Sequence, residues 1–291
     1  MEPAIETRAL TIAYGGGAGV FDLDLSVARG EVFGFLGPNG AGKTTTLRML
    51  LDLLRPDRGE ARVLGTPVRR GGGALRRRIG YLPGDLALFG SLSGEATLEL
   101  FSRLAERPPV RRDETLDRVG FPRHALSRRV KGYSTGMRQM LGIALAFQHE
   151  PELLILDEPT TGLDPLVRDS FLALVRASRE RGQTVFLSSH VLDEVGRVAD
   201  RVAIIHRGRL HPAERIDALR LGGTRMVTLS WRDGRRESFE SDEEPARLLA
   251  RLAARADGVL QDVEIRPLGL DAIFRRIVRE AAPAAGARPP A

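Results

Sequence analysis

The chain has 291 residues, of which 42% are hydrophobic and 28% are charged, and its formal net charge is +6. This composition is typical of a globular protein, and the length suits one large domain or a large and a small one. The absence of cysteine excludes disulfides, thiolate zinc sites and cysteine nucleophiles. The positive charge suits polyanions or an anionic membrane face, but a solvated arginine-rich surface accounts for it as well.

The N-terminal residues carry neither a basic region nor an apolar core, so we expect no secretory signal. No apolar run approaches the ~20 residues that a membrane-spanning helix needs. From these two features we expect a soluble protein or one that is peripheral to a membrane.

The N-terminal part of the sequence predicts strands. Ile5–Ile12 precedes the glycine-rich stretch 14–19, and Val20–Val27 alternates apolar and polar residues as a half-buried strand does. Val32–Leu36 is short and apolar, which indicates a buried strand. The leucines of Thr46–Leu54 fall on one helical face, so this segment predicts a helix.

A glycine-rich loop lies between this buried strand and this helix, and it reads Gly37, Pro38, Asn39, Gly40, Ala41, Gly42, Lys43, Thr44 and Thr45. Strand, loop and helix in this order are typical of a phosphate-binding loop, in which backbone N–H groups surround a polyphosphate. The pattern predicts that Lys43 reaches the phosphates and that the Thr44 hydroxyl binds Mg²⁺. The alternative is a glycine-rich turn that ends in a surface lysine. The chain has only one other lysine, Lys131, which favours a specific role for Lys43.

The rest of the first two hundred residues predicts an α/β domain with an inserted helical segment at about 84–145, where Ser93 is a plausible helix N-cap. Leu153–Leu156 and Thr184–Ser188 read as buried strands, and Pro165–Arg181 reads as the helix between them. Strands that alternate with helices predict a mostly parallel sheet with both faces covered. A short strand is also expected at 61–65, after a turn at 56–59.

Polar residues follow the two buried strands. Asp157 and Glu158 close the first, where a carboxylate can hold Mg²⁺ and another can orient or deprotonate a water. His190 follows the second, and ligands of parallel sheets bind at the carboxyl ends of strands. The alternatives are an acidic strand end that turns into a loop and a structural histidine.

The sequence after about residue 213 predicts a small α+β appendage. Met226–Trp231 and Arg236–Glu240 flank Asp233-Gly234, which is typical of a hairpin. A helix at 245–254, a strand at 259–266 and a final helix at 270–280 follow. Residues 281–291 lack the apolar residues to order themselves. The expected domains are therefore 1–212, 213–280 and a disordered tail.

These motifs, in this order, resemble the nucleotide-binding subunits of ABC transporters over about residues 4–212. The matching segments are Gly37–Thr45 (Walker A), Tyr133–Met137 (signature), Leu153–Glu158 (Walker B), Thr161–Asp164 (D-loop), His190 (switch histidine) and Tyr14 (the aromatic residue that stacks on adenine). The Tyr133–Gln139 form of the signature and the residues 270–274 are most similar to the drug- and antibiotic-export branch.

The resemblance implies an ATPase with ATP and Mg²⁺ as cofactors. It implies that Tyr14, the Walker A residues, Ser134 and Gly136 bind the nucleotide, that Thr44 and Asp157 bind the metal, and that Lys43, Glu158 and His190 act in catalysis. Two copies would enclose two ATP molecules head to tail, with Ser134 and Gly136 facing the nucleotide of the partner copy. The further expectations are a homodimer, a separate membrane permease as partner, a cytoplasmic location on the inner face of the membrane, and no nucleic acid.

One position departs from the family pattern. A glutamine is usual near Gly84, where this chain has Gly84-Asp85. Either Asp85 replaces that side chain or hydrolysis proceeds without it. Two alternative functions stay open on the sequence: an ABC-type ATPase that remodels nucleic acid or ribosomes, and a regulatory module that binds ATP without turnover.

Overall fold

The computed structural model describes residues 2–216, 225–255 and 260–267. The chain divides into two compact units, Met1–Ala213 and Glu214–Ala291. The strands are β1 (Ile5–Tyr14), β2 (Ala18–Val27), β3 (Val32–Leu36), β4 (Arg58–Val63), β5 (Thr66–Pro67), β6 (Ile79–Leu82), β7 (Leu153–Asp157), β8 (Thr184–Ser189), β9 (Arg201–His206), β10 (Arg209–Arg215), β11 (Arg225–Trp231), β12 (Arg236–Ser241) and β13 (Leu260–Pro267). The helices are α1 (Lys43–Leu50), α2 (Val68–Arg76), α3 (Gly94–Ala105), α4 (Arg112–Arg118), α5 (Thr135–Phe147), α6 (Pro165–Glu180), α7 (Leu192–Gly196) and α8 (Pro245–Arg255).

The central sheet has the strand order β10-β9-β3-β8-β7-β6. The pairs β9–β3, β3–β8, β8–β7 and β7–β6 are all parallel. Every residue of β3, β7 and β8 is buried, as expected for strands covered on both faces. Because these strands are parallel, the segments that follow β3, β6, β7 and β8 all leave the sheet at one edge. This edge carries the candidate site.

A second, antiparallel sheet with the order β2-β1-β4-β5 completes the first unit. A helical segment, α3 to α5, is inserted between β6 and β7. The predicted fold class, an α/β core with a mostly parallel sheet, antiparallel N-terminal strands and a helical insertion, is confirmed.

The predicted helix after the phosphate loop and the predicted turn at 56–59 need correction. The helix after the phosphate loop ends at Leu50 rather than Leu54, because Asp52 adopts a left-handed conformation (φ 58°) and closes the helix. Gly59 lies inside β4, not in a turn. A Cβ atom at Gly59 would lie 2.3 Å from the carbonyl oxygen of Ala9. The β1–β4 register is irregular at this point, so a β-bulge requires glycine here.

The second unit contains the predicted hairpin. β11 pairs with β12 around Asp233-Gly234 and also with β13, both antiparallel. Leu248 and Leu252 of α8 are buried with Val227 and Leu229 of β11 in a small separate core. The predicted helix at 270–280 and the tail 281–291 lie outside the described residues. In the described part of the chain, no helix is both long and apolar enough to cross a membrane.

Candidate nucleotide-binding site

The phosphate loop, Gly37–Thr45, connects the end of β3 to the start of α1. Gly40 (φ 78°) and Gly42 (φ 110°) adopt conformations that side chains disfavour. At Gly37 a Cβ atom would lie 2.4 Å from the carbonyl oxygen of Ile205, so only glycine fits. The glycines therefore shape a loop whose backbone passes directly into the N-terminus of a helix, where anions bind favourably.

Lys43 is only 6% exposed and is held by its own loop and by an acidic residue. Its Nζ donates to the carbonyl oxygen of Gly37 at 2.6 Å and lies 3.0 Å from Oε1 of Glu158. Since the ammonium group is close to a carboxylate, its buried charge is compensated within the chain.

Asp157, at the end of β7, is 1% exposed and accepts two hydrogen bonds. The Thr44 hydroxyl donates to Oδ2 at 2.7 Å, and the Ser188 hydroxyl donates to Oδ1 at 2.5 Å. The hydroxyl and carboxylate oxygens predicted to bind the metal therefore lie side by side. Ser188 was not singled out from the sequence, although a hydroxyl residue at the end of an apolar strand is a usable signal.

Glu158 follows directly and has an unusual backbone. Its φ is 48°, a left-handed value that is uncommon outside glycine and often marks functional sites. Its Oε2 lies 2.7 Å from Nδ1 of His190, and its N–H lies 3.2 Å from the Ser188 hydroxyl oxygen. Lys43, Glu158 and His190 thus form a continuous chain of contacts across the carboxyl edge of the sheet.

Two adjoining cavities open at this edge, and they share Asn39, Thr44 and Glu158. The first, of about 240 Å³, is lined by Tyr14, Ala18, Gly19, Pro38, Asn39, Gly40, Gly42, Lys43, Thr44, Thr45 and Glu158. The second, of about 380 Å³, is lined by Asn39, Thr44, Arg48, Tyr81, Pro83, Gly84, Asp85, Asp157, Glu158, Thr161 and His190. Gly37 and Ala41 belong to the loop without lining either cavity. Tyr14, 44% exposed, stands at the end of β1 in the first cavity.

The Gly84-Asp85 pair follows β6 and lines the second cavity. A Cβ atom at Gly84 would lie 3.2 Å from Oδ2 of Asp157, so glycine allows the backbone to approach this carboxylate closely. Tyr81 also lines the cavity. Burial raises the pKa of its phenol, the Asp157 carboxylate raises it further, and Arg48 opposes both effects.

The signature loop, Tyr133–Met137, lies at the start of α5. Ser134 caps this helix, since its hydroxyl accepts from the N–H of Met137 at 3.2 Å. The buried Tyr133 hydroxyl donates to the carbonyl oxygen of Ala125 at 2.6 Å. Neither Ser134 nor Gly136 lines the two cavities described above. Of the predicted site residues, all but Gly37, Ala41, Ser134 and Gly136 line one of these cavities.

The chain is similar to known proteins in both sequence and fold. The sequence pattern of the family described as "ABC transporter" matches residues 20–161. The daunorubicin/doxorubicin resistance ATP-binding protein DrrA of Streptomyces peucetius is 45% identical over 71% of this chain and 64% of its own length. The bacitracin transport ATP-binding protein BcrA of Bacillus licheniformis is 40% identical over 72% of this chain and 69% of its own length.

The chain belongs to the ABC transporter ATP-binding family. A solved "ATP binding subunit of ABC transporter" shares its fold with a TM-score of 0.69 and 30% identity, over 75% of this chain and 92% of the solved one.

Membership of this family confirms the resemblance drawn from the motifs. The chain is an ABC ATP-binding protein homologous to ATP-binding proteins of daunorubicin/doxorubicin resistance and bacitracin transport, and ATP is its nucleotide. The relatives are transport and resistance proteins, which supports the transport interpretation over the nucleic-acid alternative.

Proposed function

We propose that this chain hydrolyses ATP at a head-to-tail interface between two copies and drives a separate membrane permease that exports a drug, an antibiotic or a lipid-like compound. The observation that supports this most directly is the chain of contacts from Lys43 through Glu158 to His190, at the mouth of a phosphate loop. A lysine, a carboxylate and a histidine in contact can bind a phosphate, accept a proton and orient the group that accepts it.

Lys43 and Glu158 are expected to separate when ATP binds. The β- and γ-phosphates offer Lys43 several anionic oxygens, whereas Glu158 offers one carboxylate at 3.0 Å. Once Lys43 contacts phosphate, Glu158 is free to accept a proton from water, while His190 at 2.7 Å keeps its carboxylate in place. Binding of the nucleotide therefore also frees Glu158, the proposed general base, from its contact with Lys43.

The residues present fit a magnesium ion. Thr44 Oγ1 and Asp157 Oδ2 are 2.7 Å apart, and they form a pair of hard oxygen ligands at the base of the second cavity. Mg²⁺ is commonly held by one or two protein oxygens together with substrate phosphates. When bound, the ion would neutralise charge that develops on the phosphates. Among the described residues, no cluster of three or more His, Cys, Asp or Glu competes as a metal site.

The remaining residues bind the nucleotide. Backbone N–H groups of the phosphate loop would surround the phosphates, and Tyr14 would stack on the adenine, since it lines the same cavity. Ser134 and Gly136 lie outside both cavities, so we assign them to the ATP of the partner copy. This assignment accounts for an exposed serine at the N-terminus of α5 that its own chain's site does not use.

Glu158→Gln tests the catalytic assignment. The amide keeps the size of the side chain but cannot accept the proton, so phosphate release should fall by about 10²–10⁴-fold. ATP binding should persist, and gel filtration should show an ATP-dependent dimer. The matched control is Glu152→Gln, another glutamate beside β7, whose partners are Arg78 and Arg29. Undiminished phosphate release from Glu158→Gln would refute the assignment of the base.

The proposed partnership with a permease needs a separate test. This chain is tagged in its native host and purified from solubilised membranes. A polytopic membrane protein in stoichiometric amount would support transport and a location at the inner membrane face. Copurification of ribosomal or DNA-bound proteins instead would favour the alternative partner class.

A further inference from the structure

Gln139 makes a contact that the proposed mechanism does not use. Its side chain is buried, at 8% exposure, on α5. Its Nε2 donates to the carbonyl oxygen of Pro159 at 2.8 Å. Buried side-chain amides are costly unless they form hydrogen bonds, so this contact holds two separate segments together.

Pro159 is the residue after Glu158, so Gln139 holds the peptide next to the proposed base. Glu158 has a left-handed φ of 48°, which persists only where neighbouring groups restrain it. Thr160 supplies a second restraint on the same loop, because its hydroxyl donates to Glu194 at 2.7 Å. The loop that begins at Glu158 is therefore anchored at two consecutive residues.

At its other end, Gln139 belongs to the helix that carries the signature loop. It lies about one and a half turns after Ser134, the N-cap of α5. The two segments also approach each other near the cap. A Cβ atom at Gly136 would lie 3.3 Å from the carbonyl oxygen of Gly162, and one at Gly162 would lie 3.0 Å from Cγ2 of Thr135. The signature loop and the loop after Glu158 are therefore packed directly against each other.

We infer that Gln139 is a positioning residue that couples the two nucleotide sites of the dimer. This inference rests on the proposed function, in which Ser134 serves the ATP of the partner copy while Glu158 serves the ATP of its own chain. A displacement of α5 on contact with the partner's γ-phosphate passes through the Gln139–Pro159 hydrogen bond to the backbone of Glu158. Occupation of one site thereby adjusts the base of the other.

The experiment compares Gln139→Met with Gln183→Met in the purified full-length chain. Methionine approximates the shape of glutamine but cannot donate to a carbonyl group. Gln183 is the matched control because it is also buried and its Nε2 also donates to a proline carbonyl, that of Pro151, at 2.6 Å. This control bond lies at the opposite edge of the sheet, where β8 begins, away from both cavities.

For Gln139→Met we expect kcat to fall about tenfold, the rate equivalent of about 1.4 kcal/mol. The Hill coefficient for ATP should fall to one, with the affinity of the monomer for ATP retained. Gln183→Met should lower the thermal unfolding midpoint by a similar amount as Gln139→Met, but leave kcat and the Hill coefficient as in the wild type. Thr160→Val, which removes the other restraint, should lower kcat and keep the cooperativity.

Equal kinetics in the two methionine variants would overturn the inference while leaving the proposed function intact. A wild-type chain without cooperativity, together with a Glu158→Gln variant that does not dimerise with ATP, would overturn the proposed dimer itself. Should Gln139→Met not fold, Gln139→Asn retains the polar amide but is one methylene shorter. The same loss of rate and cooperativity is then expected.

Discussion

The phosphate loop and the signature loop both begin a helix, but their surroundings differ. The phosphate loop starts α1 without a side-chain cap, and its lysine is buried against Glu158. The signature loop starts α5 with Ser134 as cap, and this serine is exposed and lines neither cavity. The lysine of the first loop is paired with a carboxylate of its own chain, whereas the serine of the second loop is exposed to solvent. This contrast supports the proposal that a single chain holds halves of two different sites.

Lys43→Ala should produce the largest effect, because it removes the charge from the half that binds phosphates. Charged hydrogen bonds contribute about 1.5–3 kcal/mol each, so ATP affinity should fall roughly tenfold to a hundredfold or more. Equilibrium binding of a fluorescent ATP analogue measures this loss. The control is Lys131→Ala, which removes the other, exposed lysine and should bind ATP normally. Normal binding by Lys43→Ala would contradict the proposed phosphate contact.

Ser134→Ala should affect the other half and leave ATP binding to the monomer unchanged. We expect kcat to fall about tenfold, since one hydrogen bond to a charged group is lost. The variant also loses a helix cap, which costs about 1 kcal/mol of stability. Ser93→Ala is the matched control. Ser93 caps α3 by accepting from the N–H of Ala96 at 3.0 Å but is not part of the signature loop.

The two serine variants should therefore lose similar stability, measured by thermal unfolding, while only Ser134→Ala loses turnover and ATP-dependent dimerisation. Equal turnover in both variants would place the signature loop outside the active interface.

Asp85→Asn tests whether the residue after Gly84 contributes to Mg²⁺ binding beside the phosphate loop. An exposed carboxylate near a cation contributes modestly, so the Mg²⁺ concentration for half-maximal activity should rise about threefold. A titration of activity, paired with Mn²⁺ binding by electron paramagnetic resonance, measures the change. Asp262→Asn, on the exposed side of β13, is the control. Unchanged Mn²⁺ binding would mean that hydrolysis proceeds without a substitute for the glutamine.

Tyr81→Phe should have the smallest effect, visible only at alkaline pH. Burial and the Asp157 carboxylate raise the pKa of Tyr81 above its ordinary value of 10.0. The stability that this shift contributes is complete below the unfolded pKa, and it is lost as the pH rises through the folded pKa. Thermal unfolding between pH 9 and 11, roughly spanning the ordinary tyrosine pKa, should therefore show a weaker alkaline decline for Tyr81→Phe than for the wild type.

Tyr133→Phe, in the signature loop, is the variant to compare with Tyr81→Phe. It removes the hydrogen bond to Ala125, so its unfolding midpoint should fall at neutral pH as well, by about 2–4 °C for each kcal/mol lost. A neutral-pH loss in Tyr81→Phe of the same size would show that Tyr81 stabilises the fold through a contact other than its protonation.

Local sequence patterns predicted most of the strands and helices of both units. Burial of one face gives a periodic pattern of apolar residues, and burial of both faces gives a continuous apolar run. The motifs are also short stretches of sequence. The sequence alone therefore locates Gly37–Thr45, Asp157, Glu158 and His190. The patterns failed where distant backbone decides the conformation. Gly59 was interpreted as a turn because its bulge depends on Ala9, and β10 was missed because it is defined by its pairing with β9.

The sequence by itself determined which chemical groups the site contains: a lysine, hydroxyls, two carboxylates and a histidine at the ends of apolar strands. Only the tertiary structure decided which of them touch. Parallel pairing of β3, β7 and β8 brings Lys43 to Glu158, Thr44 to Asp157 and Glu158 to His190. These pairs are 115, 113 and 32 positions apart in the sequence. Separations of this size leave no periodic signal, because a contact between strand ends depends on register and not on neighbouring residues. The same reason explains why the hydrogen bond from Gln139 to Pro159 emerged only from the folded chain.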